Sequence, residues 1–165
     1  MQTNTNTNTS TTTTREGTES RDVSIAKLQE CLRSELSAAE TYELALKSVS
    51  HVGLHRTLQE ILVSHSRRIT LLREKINGLG GEVPSDSGVW GAFAKVFQLG
   101  ADLLGDRLGI AALEEGEDRG LELYTKDLGE CDPKTRKLID TDLLPEQRRT
   151  HDLCRTLKSY LTAPS

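Results

Sequence analysis

The sequence predicts an all-α protein, an antiparallel bundle of four helices. Three observations lead there. Apolar residues recur at steps of three and four along four separate stretches, the spacing of one helix face. No stretch alternates polar and apolar residues as a half-buried strand would. Helix formers such as Leu, Glu, Ala, Arg and Lys are plentiful, while aromatic residues make up only 4% of the chain.

A length of 165 residues suits one domain with one core. Residues 1–21 form a Thr/Asn-rich polar leader with almost nothing to bury. That segment cannot offset the entropy cost of ordering and is expected to be disordered, which leaves residues 22–163 as the bundle. Helix one should start near Asp22 or Ser24, both acceptable N-caps, and reach about Val49. Its stripe reads Leu28, Leu32, Glu35, Ala39, Tyr42, Leu46, Val49. Helix two should cover about Leu54 to Asn77, with Gly78 as the left-handed residue that ends it. Its stripe reads Leu54, Leu58, Ile61, His65, Ile69, Leu72, Ile76, and the short link makes the pair an antiparallel hairpin.

The run GGEVPSDSG then predicts a loop. Residues 89–106 follow as an extra short helix in a long crossover. It carries Trp90, Phe93 and Phe97, which cover their own bundle, form a homodimer surface or associate with a membrane, the last disfavoured by the lack of a strongly basic polar face. Helix three should span about Arg107 to Leu128, with the stripe Ile110, Leu113, Glu117, Leu121, Tyr124, Leu128. Asp132-Pro133 is an N-cap followed by proline at the first helical position. Pro145 removes a backbone donor and should bend or restart the last helix. A short approach from Pro133 to Asp140 is therefore expected, then a main helix from about Asp142 to Leu161. Its stripe reads Leu144, Gln147, His151, Cys154, Leu157, Leu161.

The polar residues on these stripes are the informative ones. Helices one and three each place a glutamate on the apolar face with a tyrosine seven residues later, Glu35 with Tyr42 and Glu117 with Tyr124. Each is followed by a helix with a histidine on its stripe, His65 and His151. This is a two-fold internal repeat, pairing Glu35 with His65 and Glu117 with His151. A carboxylate on a buried face needs a partner, because burying an unpaired charge is costly.

Glu35-Leu36-Ser37-Ala38 with Tyr42 resembles the first-helix motif of the ferritin-like superfamily. Di-iron members of that superfamily place Glu on two helices and Glu-x-x-His on the other two. Ser87-Gly88 through Tyr124, above all Glu115-Gly116-Glu117-Asp118, is similar to a narrower bacterial group of ferritin-like domains with no assigned function. The resemblance covers roughly residues 22 to 160 and implies a ferritin-like antiparallel four-helix bundle with a long crossover. The chain departs from the di-iron pattern at Leu62 and Arg148, which stand three residues before His65 and His151 where the motif has glutamate.

Three arrangements are open to the stripe residues. Glu35, His65, Glu117 and His151 can converge on a single divalent metal, iron, zinc or manganese, all of which accept nitrogen and oxygen ligands. They can instead form a metal-free network in which each glutamate bonds a histidine, Tyr42, Tyr124 or Arg148. Or the stripes are off by one residue and the groups reach water. Leu62 offers a metal nothing, and Arg148 brings a guanidinium that cannot be deprotonated, so the substitutions favour the network.

Composition narrows the function classes. A net charge of −4 argues against nucleic acid as a partner. Arg67, Arg68, Arg73 and Lys75 on helix two read as a solvated face. No run approaches the roughly 20 apolar residues of a membrane span, and the N-terminus lacks a signal-peptide core. Cys31, Cys131 and Cys154 have no close metal spacing, which suits reduced thiols in the cytoplasm. His51 and His55 are expected at the surface. No nucleophile triad, phosphate loop or nucleotide motif appears, and no small-molecule substrate can be named. The leading expectation is a bacterial, non-enzymatic, homo-oligomeric bundle connected with stress or metal handling. The alternative is a metal-binding protein or oxidase using Glu35, His65, Glu117 and His151.

Overall fold

A computed structural model describes residues 9–163, with side chains described for residues 15–91 and 105–163. Its long helices are α1 (Thr9–Ser48), α2 (Val52–Gly78), α3 (Gly91–Thr125) and α5 (Leu144–Thr162), with a short α4 (Pro133–Leu138) before the last. Among the described residues there is no strand. Helix α1 packs against α2 and α3, and α5 packs against α3 and α2. The four long helices therefore form a four-helix bundle with α1 diagonal to α5 and α2 diagonal to α3, as the apolar periodicity predicted. No helix among the described residues is long and apolar enough to cross a membrane.

The elements follow local chemistry. Asp132 caps α4 by accepting from the backbone amides of Lys134 and Thr135, with Pro133 at the first position. A wide π turn at Ile139–Leu143 then precedes α5, which starts with Pro145 in its first turn. This is the restart that proline requires. Helix α1 is already formed at Thr9, the first described residue and part of the polar leader, rather than starting at Asp22 or Ser24, and Arg15–Glu19 are exposed along it. Helix α2 runs through Gly78. The left-handed residue is Gly80 (φ 74°), and the amides of Gly80 and Gly81 bond back to the carbonyls of Asn77 and Ile76. The turn falls two residues later than expected because Gly78 and Leu79 both keep right-handed, helix-like backbone.

The crossover has the expected break. Trp90 lies against α1 at Ser37, where its carbonyl accepts from Ser37 Oγ at 2.7 Å, and its half-buried ring packs on the core. Asp106 sits at the far end, accepting from the amides of Ser50 and His51 in the α1–α2 link, both at 2.8 Å. Between them Gly105 adopts φ 69°, ψ 172°, splitting α3 into two helical arms. The second arm returns along the bundle, so Glu117 reaches its middle and Tyr124 its first half. The side chains of Phe93 and Phe97 lie outside the described residues.

Two apolar layers hold the bundle. One contains Leu28, Leu32, Leu72, Ile76, Ile139 and Leu143. The other contains Ala45, Leu54, Leu58, Ile61, Ile110 and Leu113. Each fully buried Leu or Ile contributes about 1.5–3 kcal/mol, enough in sum to tolerate a polar layer between them. That layer is the site.

Candidate functional site

Glu35 on α1, His65 and Arg68 on α2, Glu117 on α3 and Gln147 and Thr150 on α5 meet at mid-bundle, each at most 2% exposed. Helical spacing brings them there. His65 and Arg68 are three residues apart on one face of α2, and Gln147 and Thr150 repeat that spacing on α5.

Glu35 Oε1 accepts from Arg68 Nε at 2.8 Å and from Tyr124 Oη at 2.7 Å, and Oε2 pairs with His65 Nδ1 at 2.7 Å. Glu117 Oε1 accepts from Tyr42 Oη at 2.8 Å and pairs with His65 Nε2 at 3.0 Å. Its Oε2 accepts from Gln147 Nε2 at 2.8 Å and Thr150 Oγ1 at 2.9 Å. The two tyrosines are exchanged between the repeats, each binding the glutamate of the other half. Arg68 completes the cluster, donating from Nη1 to Ser64 Oγ and from Nη2 to Gln147 Oε1, both at 3.0 Å. Ser64 Oγ in turn donates to Glu146 Oε2 at 2.8 Å, and Glu146 accepts from Arg149 at the surface. No buried side-chain nitrogen or oxygen among the described residues lacks a partner.

Electrostatics follow the pairing. Burial opposes ionisation of Glu35, but Arg68 and His65 outweigh it and hold the carboxyl down at about 2. Glu117 is lowered too, since hydrogen bonds and charge from His65, with the Tyr42 bond, overcome its burial. His65 is raised: burial favours the neutral ring, and the two carboxylates reverse that. Burial, reinforced by the neighbouring carboxylates, pushes both tyrosines well above their ordinary range. A cavity of about 40 Å³ borders the cluster between α1 and α3, lined among others by Ser37, Thr41, His65, Trp90, Glu117 and Gly120.

Several expected residues are here and others are not. Glu35, His65, Glu117, Tyr42 and Tyr124 converge. His151 does not join them; it lies at the edge of α5, where Nε2 pairs with Asp118 Oδ1 at 2.6 Å. Thr150, one residue earlier, takes the inward position. Arg148, expected beside the glutamates, is exposed, and Leu62 is half-buried among the apolar residues. The guanidinium inside is Arg68, read from the sequence as part of a solvated face but 1% exposed. Its position three residues after His65, on the same face, was the available signal. Gln147 was on the predicted stripe without a role, and Ser64 and Thr150 were not singled out. His55 Nε2 donates to the carbonyl of Val49 at 2.9 Å, while His51 meets Tyr160 edge-on.

The cluster does not fit a metal. Glu117 already accepts four hydrogen bonds, one for each lone-pair site of a carboxylate. A permanent cation, Arg68, contacts Glu35 and approaches His65. Among the described residues no group of three or more His, Cys, Asp or Glu side chains is arranged to hold an ion.

No curated protein and no solved structure matches the chain. A family model does, over residues 23–130, a span that includes Glu35, His65, Arg68 and Glu117 and ends before Gln147. The chain thus belongs to the family described as a domain of unknown function, DUF2383.

Proposed function

We propose that this protein is a non-enzymatic bundle on the ferritin-like plan, in which a permanent ion cluster stands where that plan has a metal centre. Arg68 carries the reading. Its guanidinium stays charged at any ordinary pH and sits among the groups a metal would need. The arrangement of helices supports the plan. Glu35 and Glu117 lie on α1 and α3, and His65-x-x-Arg68 and Gln147-x-x-Thr150 occupy α2 and α5, where di-iron bundles carry Glu-x-x-His. A carboxylate and an imidazole have become an imidazole and a guanidinium in one half, an amide and a hydroxyl in the other.

Such a cluster ties four helices in one register, and the protein's work then falls to its outer surface. The crossover with Trp90, Phe93 and Phe97 is the first segment to test as a homodimer contact. The buried, unpaired cysteines suit a reducing, cytoplasmic setting. The deciding experiment is elemental analysis after loading with iron, zinc or manganese, beside Glu117→Ala and His65→Ala. The expected result is no stoichiometric metal. One metal per chain, lost in both variants, would overturn the proposal in favour of a metal-binding protein or oxidase.

A further inference from the structure

The ring of His65 lies between two carboxylates, with Nδ1 2.7 Å from Glu35 Oε2 and Nε2 3.0 Å from Glu117 Oε1. A neutral imidazole has a single N–H, so one of those contacts would set a bare lone pair against an anion. Arg68 Nη2 also lies 2.7 Å from Nδ1, the one neighbour that would suit a bare nitrogen. One of the two Nη2 hydrogens goes to Gln147 Oε1 and the other is free to face Nδ1, whereas Glu35 Oε2 has no other donor among the described residues. A proton on Nδ1 serves Glu35 Oε2 while Nε2–H serves Glu117, so both anions gain a donor, and it leaves Arg68 Nη2 beside the ring as a second cation between the same carboxylates.

We propose that His65 is held as an imidazolium and that this proton clasps α2 to α1 and α3. The charges then balance: Glu35 and Glu117 against Arg68 and His65. The ring is faced by Glu35 and the Tyr42 ring from α1, by Arg68 from its own helix and by Glu117 from α3. Gln147 and Thr150, which α5 brings to the cluster, are not ionisable. Loss of the proton seals one uncompensated negative charge in the core and makes the contact between Nδ1 and Glu35 repulsive. The cavity beside His65 is large enough for a water to carry the proton in or out. The paired carboxylates place this loss above the ordinary histidine range. The clasp rests on the metal-free reading, since a metal would claim the ring as a neutral ligand.

The test is ¹⁵N NMR of the full chain labelled at histidine, with metal content measured on the same sample and amide exchange followed across pH. Both His65 nitrogens should carry protons at neutral pH, above the free-histidine pKa of about 6.5. The opening constant of amides near the middle of α2, corrected for intrinsic exchange, should rise about tenfold per pH unit between that value and the ring's own pKa, then level off. His65→Gln should flatten the rise. A neutral ring without metal overturns the clasp alone, and a neutral ring with stoichiometric metal overturns the metal-free reading as well. A protonated ring whose loss of charge leaves exchange unchanged also overturns the clasp.

Discussion

Replacing Arg68 by methionine removes the internal cation while keeping most of the side chain's volume. Three donor contacts disappear, to Glu35, Ser64 and Gln147. All three are made by the charged guanidinium, and a hydrogen bond of a charged group is worth about 1.5–3 kcal/mol, so the contacts sum to about 4.5–9 kcal/mol as an upper bound. Breaking a buried ion pair from one side costs about 3–5 kcal/mol, which meets the lower end of that sum. Linkage gives a third route. Glu35 is held at about 2 against an ordinary 4.5, and that difference corresponds to about 3 kcal/mol, mostly from Arg68 and His65. Its sign is that of a depressed carboxylate: the stability is present above pH 4.5 and lost as pH falls through about 2. Urea unfolding at neutral pH should show Arg68→Met weaker by about 3–5 kcal/mol, or about 2–4 °C in Tm for each kcal/mol. The gap should close on acidification, because the variant no longer depends on an ionised Glu35. A loss under about 1 kcal/mol, or one independent of pH, would refute the view that Arg68 neutralises this core.

The two histidines of the repeat should behave differently. His65→Ala should cost about 3 kcal/mol or more as a broken buried ion pair, while His151→Ala, whose partner Asp118 is 60% exposed, should cost under about 1 kcal/mol. Chemical denaturation of both variants checks this, and equal losses would contradict it. Gly120 should not tolerate a side chain, since an added Cβ would stand 2.7 Å from Gln147 Nε2, which is held by Glu117. Gly120→Ala should lower stability by about 1–3 kcal/mol, measurable by thermal melting and absent if Gln147 swings aside freely. Burial raises all three thiols, that of Cys154 to about 12. Iodoacetamide at neutral pH should therefore label none in the native protein and all three after denaturation, as counted by intact mass. Rapid native labelling would show that a core layer opens.

The sequence by itself determined the helices, their apolar faces, the Asp132 cap, the restart at Pro145 and the placing of Glu35, Glu117 and both tyrosines inside. All of these depend on local spacing or local backbone chemistry, which a linear chain displays directly. It also carried the partnership of Glu35 with His65, but not that of Glu117, which meets His65 instead of His151. Only the tertiary structure decided which donors fill the cluster. Adjacent helical residues differ by about 100°, so Thr150 turns inward and His151 to the edge, and Arg68 inward while Arg67 stays in water. The helical period sets Arg68, three residues after His65 and four before Leu72, nearer the stripe than Arg67, but it does not say that a charged guanidinium stays buried there. That choice is made by Glu35 on α1 and Gln147 on α5, 33 and 79 residues away in sequence, which supply the acceptors a buried guanidinium must have.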